Sequence, residues 1–158
     1  MADNNLKIVI DDGFKRIPIE NIHGEQIGTF YFNPTDVGII DRFNKVAKEF
    51  NQITEPMEKA APENATEEEK IEFDVATKRE ATERLYAACN ELFGGDFASA
   101  FFGTTDPWSP VNGDFYCYTA ISMIGDFISR QFDEEVEKMN ERTQKYTNRA
   151  QRRAAKKK

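Results

Sequence analysis

Side chains equipped for chemistry are few in this 158-residue chain, and they stand apart from one another. His23 is the single histidine and lies beside Gly24, where a tight turn is the simpler reading. General-base or metal work needs convergent neighbours, and the sequence brings none near it. Asp11 and Asp12 could form an acid pair, but adjacent carboxylates in Asp-Asp-Gly ordinarily build the turn itself. Cys89 and Cys117 sit in apolar surroundings, which reads as two buried thiols in a reducing compartment, with a disulfide as the lesser alternative. Two Cys and one His at unrelated spacings fall short of a zinc site.

Motifs that carry a mechanism are missing as well. Gly94-Gly95-Asp96-Phe97 is similar to the loop signature of diguanylate cyclases, yet it lacks that motif's second acid and follows a helical pattern instead of separating two strands. There is no glycine loop with a lysine to cradle phosphate, no Gly-x-Ser-x-Gly elbow and no His-Glu-x-x-His pair. The expectation is a protein that is not an enzyme, with no catalytic residue, no cofactor and no metal.

What remains is a scaffold with sticky surfaces. The length suits one domain with a genuine core, and 39% apolar residues with thirteen Phe can fill it. No run approaches the roughly 18 apolar residues that a membrane span needs, and the N-terminus lacks the layout of a secretory signal. Residues 142–158 hold eight Lys or Arg and no acid, which leaves 13 basic against 28 acidic residues, a net −15, on residues 1–141. Such a body repels phosphate, so nucleic acid is a disfavoured partner, although a basic tail can still touch it.

The elements follow from the patterning. Residues 1–5 are polar and expected to fray. Residues 6–10 (LKIVI), 16–21 and 25–32 read as three strands of a small antiparallel meander, with turns at Asp-Asp-Gly and His23-Gly24 and with Pro18 requiring that its strand lie at an edge or present that position outward. Asn33 is placed to cap a helix over 34–51, with Pro34 at its first position and Asp36 near its positive end. Val37, Ile40, Phe43, Ala47 and Phe50 form one face, expected to cover the sheet. Residues 54–65 read as a linker. Thr66 and Glu69 open a second helix over 66–93 through a capping box, with Ile71, Val75, Leu85, Cys89 and Leu92 inward. Residues 96–103 suit a short helix and 104–114 a loop. A long helix over 114–141 carries Tyr118, Ile121, Gly125, Ile128, Phe132, Val136 and Met139 at spacings of three and four, before a disordered basic tail over 142–158. The fold class is therefore α+β: an N-terminal β-meander packed on a mainly helical single domain.

Three features offer themselves for binding. Seven aromatics crowd residues 97–118, either as core or as a contact patch in which Phe101, Phe102, Trp108, Phe115 and Tyr116 meet a partner. The seam of the last helix, with Phe132 and Met139 toward its end, is either intramolecular core or a face for another subunit or a client helix. The basic residues Arg149, Arg152, Arg153, Lys156, Lys157 and Lys158 are either a solvated end or a dock for an acidic surface, a neighbouring copy's body included.

The stretch ENIHGEQIGTFYFNPTDVGIIDRFNKVAKEF, an acidic helical middle and the closing NRAQRRAAKKK together resemble the tail assembly chaperones of long-tailed, siphovirus-type bacteriophages. The similarity is strongest over about residues 16–51 and at the C-terminus, and elsewhere is one of layout. It implies a non-enzymatic, oligomeric protein of the host bacterial cytoplasm, absent from the mature virion. Its partners would be the long helical tape-measure protein, kept soluble, and the tail-tube protein that polymerises around it. The family often makes a longer frameshifted product, and the closing Lys156-Lys157-Lys158 is compatible with an A-rich slippery run. The same layout leaves open a structural tail or connector component, or a small regulatory protein touching nucleic acid through its tail.

Overall fold

The computed structural model describes residues 6–156. The expected fraying of residues 1–5 and the basic residues Lys157 and Lys158 lie outside the described residues. The chain begins with an antiparallel hairpin of β1 (Lys15–Glu20) and β2 (Gln26–Phe32). Asn21 shapes its turn, the side-chain oxygen accepting from the amides of His23 (2.9 Å) and Glu25 (3.0 Å). His23 is thus a turn residue.

Residues 6–10 do not form the expected third strand. They run as irregular chain, with Leu6 and Ile8 both 95% exposed. Pro18 lies in β1 and has no N–H to give a further strand on that side. Asp-Asp-Gly does make turns: Asp11 accepts from Gly13 N at 2.9 Å and Asp12 from Phe14 N at 3.1 Å.

The switch from strand to helix is more elaborate than one cap. Asn33 and Pro34 form a turn, in which the Asn33 oxygen accepts from Thr35 N (3.0 Å) while its amide donates to the Asp12 carbonyl (3.1 Å). Helix α1 (Gly38–Glu58) starts four residues later than expected, where Asp36 accepts from Gly38 N (2.9 Å) and grips Arg42 (2.9 Å). Those two hydrogen bonds hold the Asp36 carboxyl below its ordinary pKa. Asn33 therefore pins the loop, and Asp36 opens the helix.

Helix α1 also runs through much of the expected linker and contains Pro56. A proline inside a helix cannot bond the carbonyl four residues back. That carbonyl, Gln52 O, takes the Arg84 guanidinium at 2.5 Å instead. Arg84 belongs to α2 (Glu67–Phe93), which opens with the Thr66–Glu69 capping box and closes at Gly94 in the left-handed conformation. In return, Arg42 of α1 donates to Leu92 O at the end of α2 (2.9 Å), and Lys45 meets Glu91 at 2.7 Å. Each antiparallel helix supplies a cation to a free carbonyl on the other. Since residue 42 lies beside 92 and 52 beside 84, the start of α2 overhangs the end of α1. Ile71 and Val75 fall in that overhang and are exposed, against the inward face expected of them.

The hairpin does not pack on α1. Phe30 of β2 stacks on Phe32 (4.2 Å between ring centroids) and meets Phe93, Phe97 and Phe101 edge-on at 6.3, 5.6 and 5.8 Å. Phe97 and Phe101 belong to the short α3 (Phe97–Phe101), which lies so close to β2 that a Cβ on Gly28 would collide with the Ala100 carbonyl. Within the expected loop, β3 (Pro110–Val111) and β4 (Asp114–Phe115) form a minute hairpin across Asn112-Gly113, both with positive φ. The loop carbonyls of Pro107 and Ser109 receive the amides of Cys117 and Tyr116, both at 2.9 Å, and so satisfy the start of α4 (Tyr116–Lys156).

Helix α4 is continuous to Lys156, so the expected disordered tail is helical as far as the described residues reach. Its buried side chains are Cys117, Ala120 and Ile124, each one residue before a position of the expected seam, and Ile128, which belongs to that seam. From Val136 onward every described residue is exposed. The fold is α+β, a two-stranded hairpin on a mainly helical body.

The carbonyl freed by Pro56 yields a double-mutant test. Arg84→Met should cost about 0.5–1.5 kcal/mol in urea unfolding, and clearly less in a Pro56→Ala background, where the restored N–H serves Gln52. Equal costs in both backgrounds would refute the compensation.

Candidate functional site

Several residues expected to meet a partner are interior. Phe101, Phe102 and Trp108 are buried among core side chains, so they offer no contact surface. Packing explains this: Phe102 stacks on Tyr86 at 5.5 Å, and the Trp108 indole N–H donates to Thr82 Oγ1 at 2.9 Å. Tyr116 is half-buried, and its hydroxyl holds the Phe101 carbonyl at 2.8 Å. Phe115 is partly open, edge-on to Trp108 at 5.7 Å. Phe132 is half-buried, whereas Met139, Arg149, Arg152, Arg153 and Lys156 stand exposed along α4.

The surface that does assemble is built from other residues. The stripe of α1 expected to cover the sheet has no sheet opposite it. Ile40 and Phe43 are more than half exposed, Ala47 is exposed, and Phe50 is half-buried. Across from them runs the Tyr118–Ile121–Gly125 side of α4, which the expected seam had picked out. Between the two helices lies an open groove of about 620 Å³, floored by Leu85, Ala88, Cys89 and Leu92 of α2. That volume falls within the roughly 300–1,000 Å³ of ordinary ligand pockets. Phe50 and Tyr118 approach to 5.8 Å at one end, and at the other Gly125 has no neighbour within 4 Å of where a Cβ would stand.

Phe43, Val46, Ala47 and Phe50 line one wall, and the seven helical steps from the first to the last span about 10 Å. Two turns of a helix would fit along it. Its side-chain oxygens come from Tyr118, Ser122 and Asp126, all at the α4 wall. Such a lining suits apolar groups, with its polar atoms confined to one wall.

The thiols of the core fit the same picture. Cys89 and Cys117 are both free and buried. Burial pushes their pKa values up to about 12 and about 11, so at neutral pH neither is a nucleophile. Among the described residues no group of three or more His, Cys, Asp or Glu converges to hold a metal ion, and no helix is long and apolar enough to cross a membrane.

Comparison with protein-family models, with curated proteins and with solved structures finds no match. The sequence marks both walls of the groove as apolar faces, assigning that of α1 to the sheet and leaving that of α4 open between core and a face for a partner. The signal that singles them out is their surplus: α1 and α4 carry wider apolar stripes than their neighbours within the chain can cover.

Because both thiol pKa values are raised by folding, the folded state keeps protons that the unfolded state releases. The stability this represents is complete below the ordinary thiol pKa of about 8.5 and is lost as pH climbs through about 11 and about 12. The urea midpoint should therefore fall as pH rises above that lower value, less steeply in Cys89→Val. At pH 8, a thiol reagent should modify native protein only as fast as it opens. Immediate labelling of both cysteines would contradict their enclosure.

Proposed function

We propose that this protein is a non-enzymatic phage tail assembly chaperone whose groove masks the apolar stripe of the tape-measure helix. The observation that carries the reading is the open groove between α1 and α4, apolar on three sides and matched to about two turns of helix. The resemblance over residues 16–51 and at the C-terminus supplies the identity of the client. A helical client of great length exposes its stripe throughout synthesis, and many copies binding two turns each would cover it. The acidic body would keep that assembly soluble, and the protein would help recruit the tail-tube subunits that polymerise around the client. The work belongs to the host bacterial cytoplasm, and the protein is left out of the mature virion.

Co-expression with the tape-measure protein tests this. The wild-type chain should keep the client soluble and co-purify with it. Ala47→Glu should lower the recovered complex at least about tenfold, since it places a charge in the groove at an exposed position that folding does not need. Undiminished recovery would refute the groove as the binding surface. Mass spectrometry of purified particles should not detect the protein; a stoichiometric signal there would favour a structural tail component instead.

A further inference from the structure

The last part of α4 is a helix without a partner. Residues 133–156 extend about 36 Å at the ordinary rise, and from Val136 on no side chain is even half-buried. A free helix of mixed composition is marginal in water, because most helical stability in proteins comes from covering an apolar face. This segment does have such a face. Phe132, Val136, Met139, Thr143, Tyr146 and Ala150 recur at alternating spacings of four and three, the register of a two-stranded coiled coil. Phe132 is half-buried against the core, so the seam is continuous with the packed body at its inner end. Met139 is 66% and Tyr146 59% exposed further out.

Charge selects the occupant. The inner half carries Asp133, Glu134, Glu135, Glu137 and Glu141 against the single Lys138; the outer half carries Arg142, Lys145, Arg149, Arg152, Arg153 and Lys156 with no acid. Two copies side by side in parallel would set acid against acid and base against base along the whole seam. Turned end for end, each half meets its opposite. We propose that the α4 extensions of two chains pair as an antiparallel coiled coil, with the two-fold axis close to Glu141.

The register follows from the seam. Phe132 of one chain packs beside Ala150 of the other, Val136 beside Tyr146, and Met139 beside Thr143. Glu135, which in the single chain reaches only Lys138 of its own helix at 3.1 Å, comes alongside the second chain's Arg149. The interface is isologous, so each such pairing occurs twice. The two bodies lie at opposite ends of the paired helices, with Phe132 of one chain about 27 Å along the axis from Phe132 of the other. This pairing rests on the extension alone and does not depend on what the groove binds.

The experiment uses the full chain. Sedimentation equilibrium at about 100 µM and low salt should show a dimer. Met139→Asp should weaken it at least about tenfold, with the near-ultraviolet circular dichroism of the body unchanged because Met139 is exposed. For the orientation, a tagged Val136→Cys chain is mixed with an untagged Tyr146→Cys chain under mild oxidation. Antiparallel pairing gives the mixed disulfide as the main product. A chain that stays monomeric, a dimer indifferent to Met139→Asp, or cross-linking of each variant chiefly to itself would each overturn the proposal.

Discussion

The structure depends on one packing problem: seating a two-stranded hairpin, too small to stand alone, on a helical body. Phe30 solves it by entering a cluster of rings from α2 and α3, with Phe97 stacked on Phe93 at 4.8 Å and on Phe101 at 4.3 Å. Ring-to-ring contact at this range needs close backbones, which is why Gly28 faces the Ala100 carbonyl without a side chain. Once the hairpin is committed to α3, it cannot also lie on α1. The apolar stripe of α1 is left facing α4 across a gap, and that gap is the groove. The candidate site is a consequence of where the hairpin went.

Around this centre the polar groups serve geometry. Arg42 and Arg84 tie the antiparallel helices by meeting carbonyls that a helix end and an internal proline leave free. Lys78 holds Asp106 at 2.7 Å, while Asp106 in turn receives the Trp108 amide and fixes the loop that launches α4. These pairs are partly exposed, so each is a modest contribution. Their value lies in setting helix register, hence the width of the groove.

Helix α4 divides into two jobs at Phe132. Before it, the helix completes the core and forms a wall of the groove; beyond it, the helix leaves the body entirely. Arg153 and Lys156 in the last turn suit the negative end of the helix dipole. The apolar residues along it do not serve the dipole. They are an unmet demand for a neighbour.

Local signals were legible in the sequence because they are satisfied within a few residues. The capping box at Thr66 and Glu69, the turn at Asp-Asp-Gly and the hairpin around Gly24 each depend on short-range geometry. The sequence likewise marked the stripes of α1 and α4 correctly as apolar faces. What only the tertiary structure decided was what stands opposite each stripe. Periodicity reports that a face is apolar, whereas burial depends on a second element at the right distance. Phe101, Phe102 and Trp108, which the sequence leaves open between core and contact patch, therefore lie inside, while Phe43 and Ala47, which it sets on the face covering the sheet, lie open. The run Leu6–Ile10 has strand-forming residues but no paired neighbour, so its propensity goes unrealised. A side chain's chemistry belongs to the sequence; its exposure belongs to the company that folding brings to it.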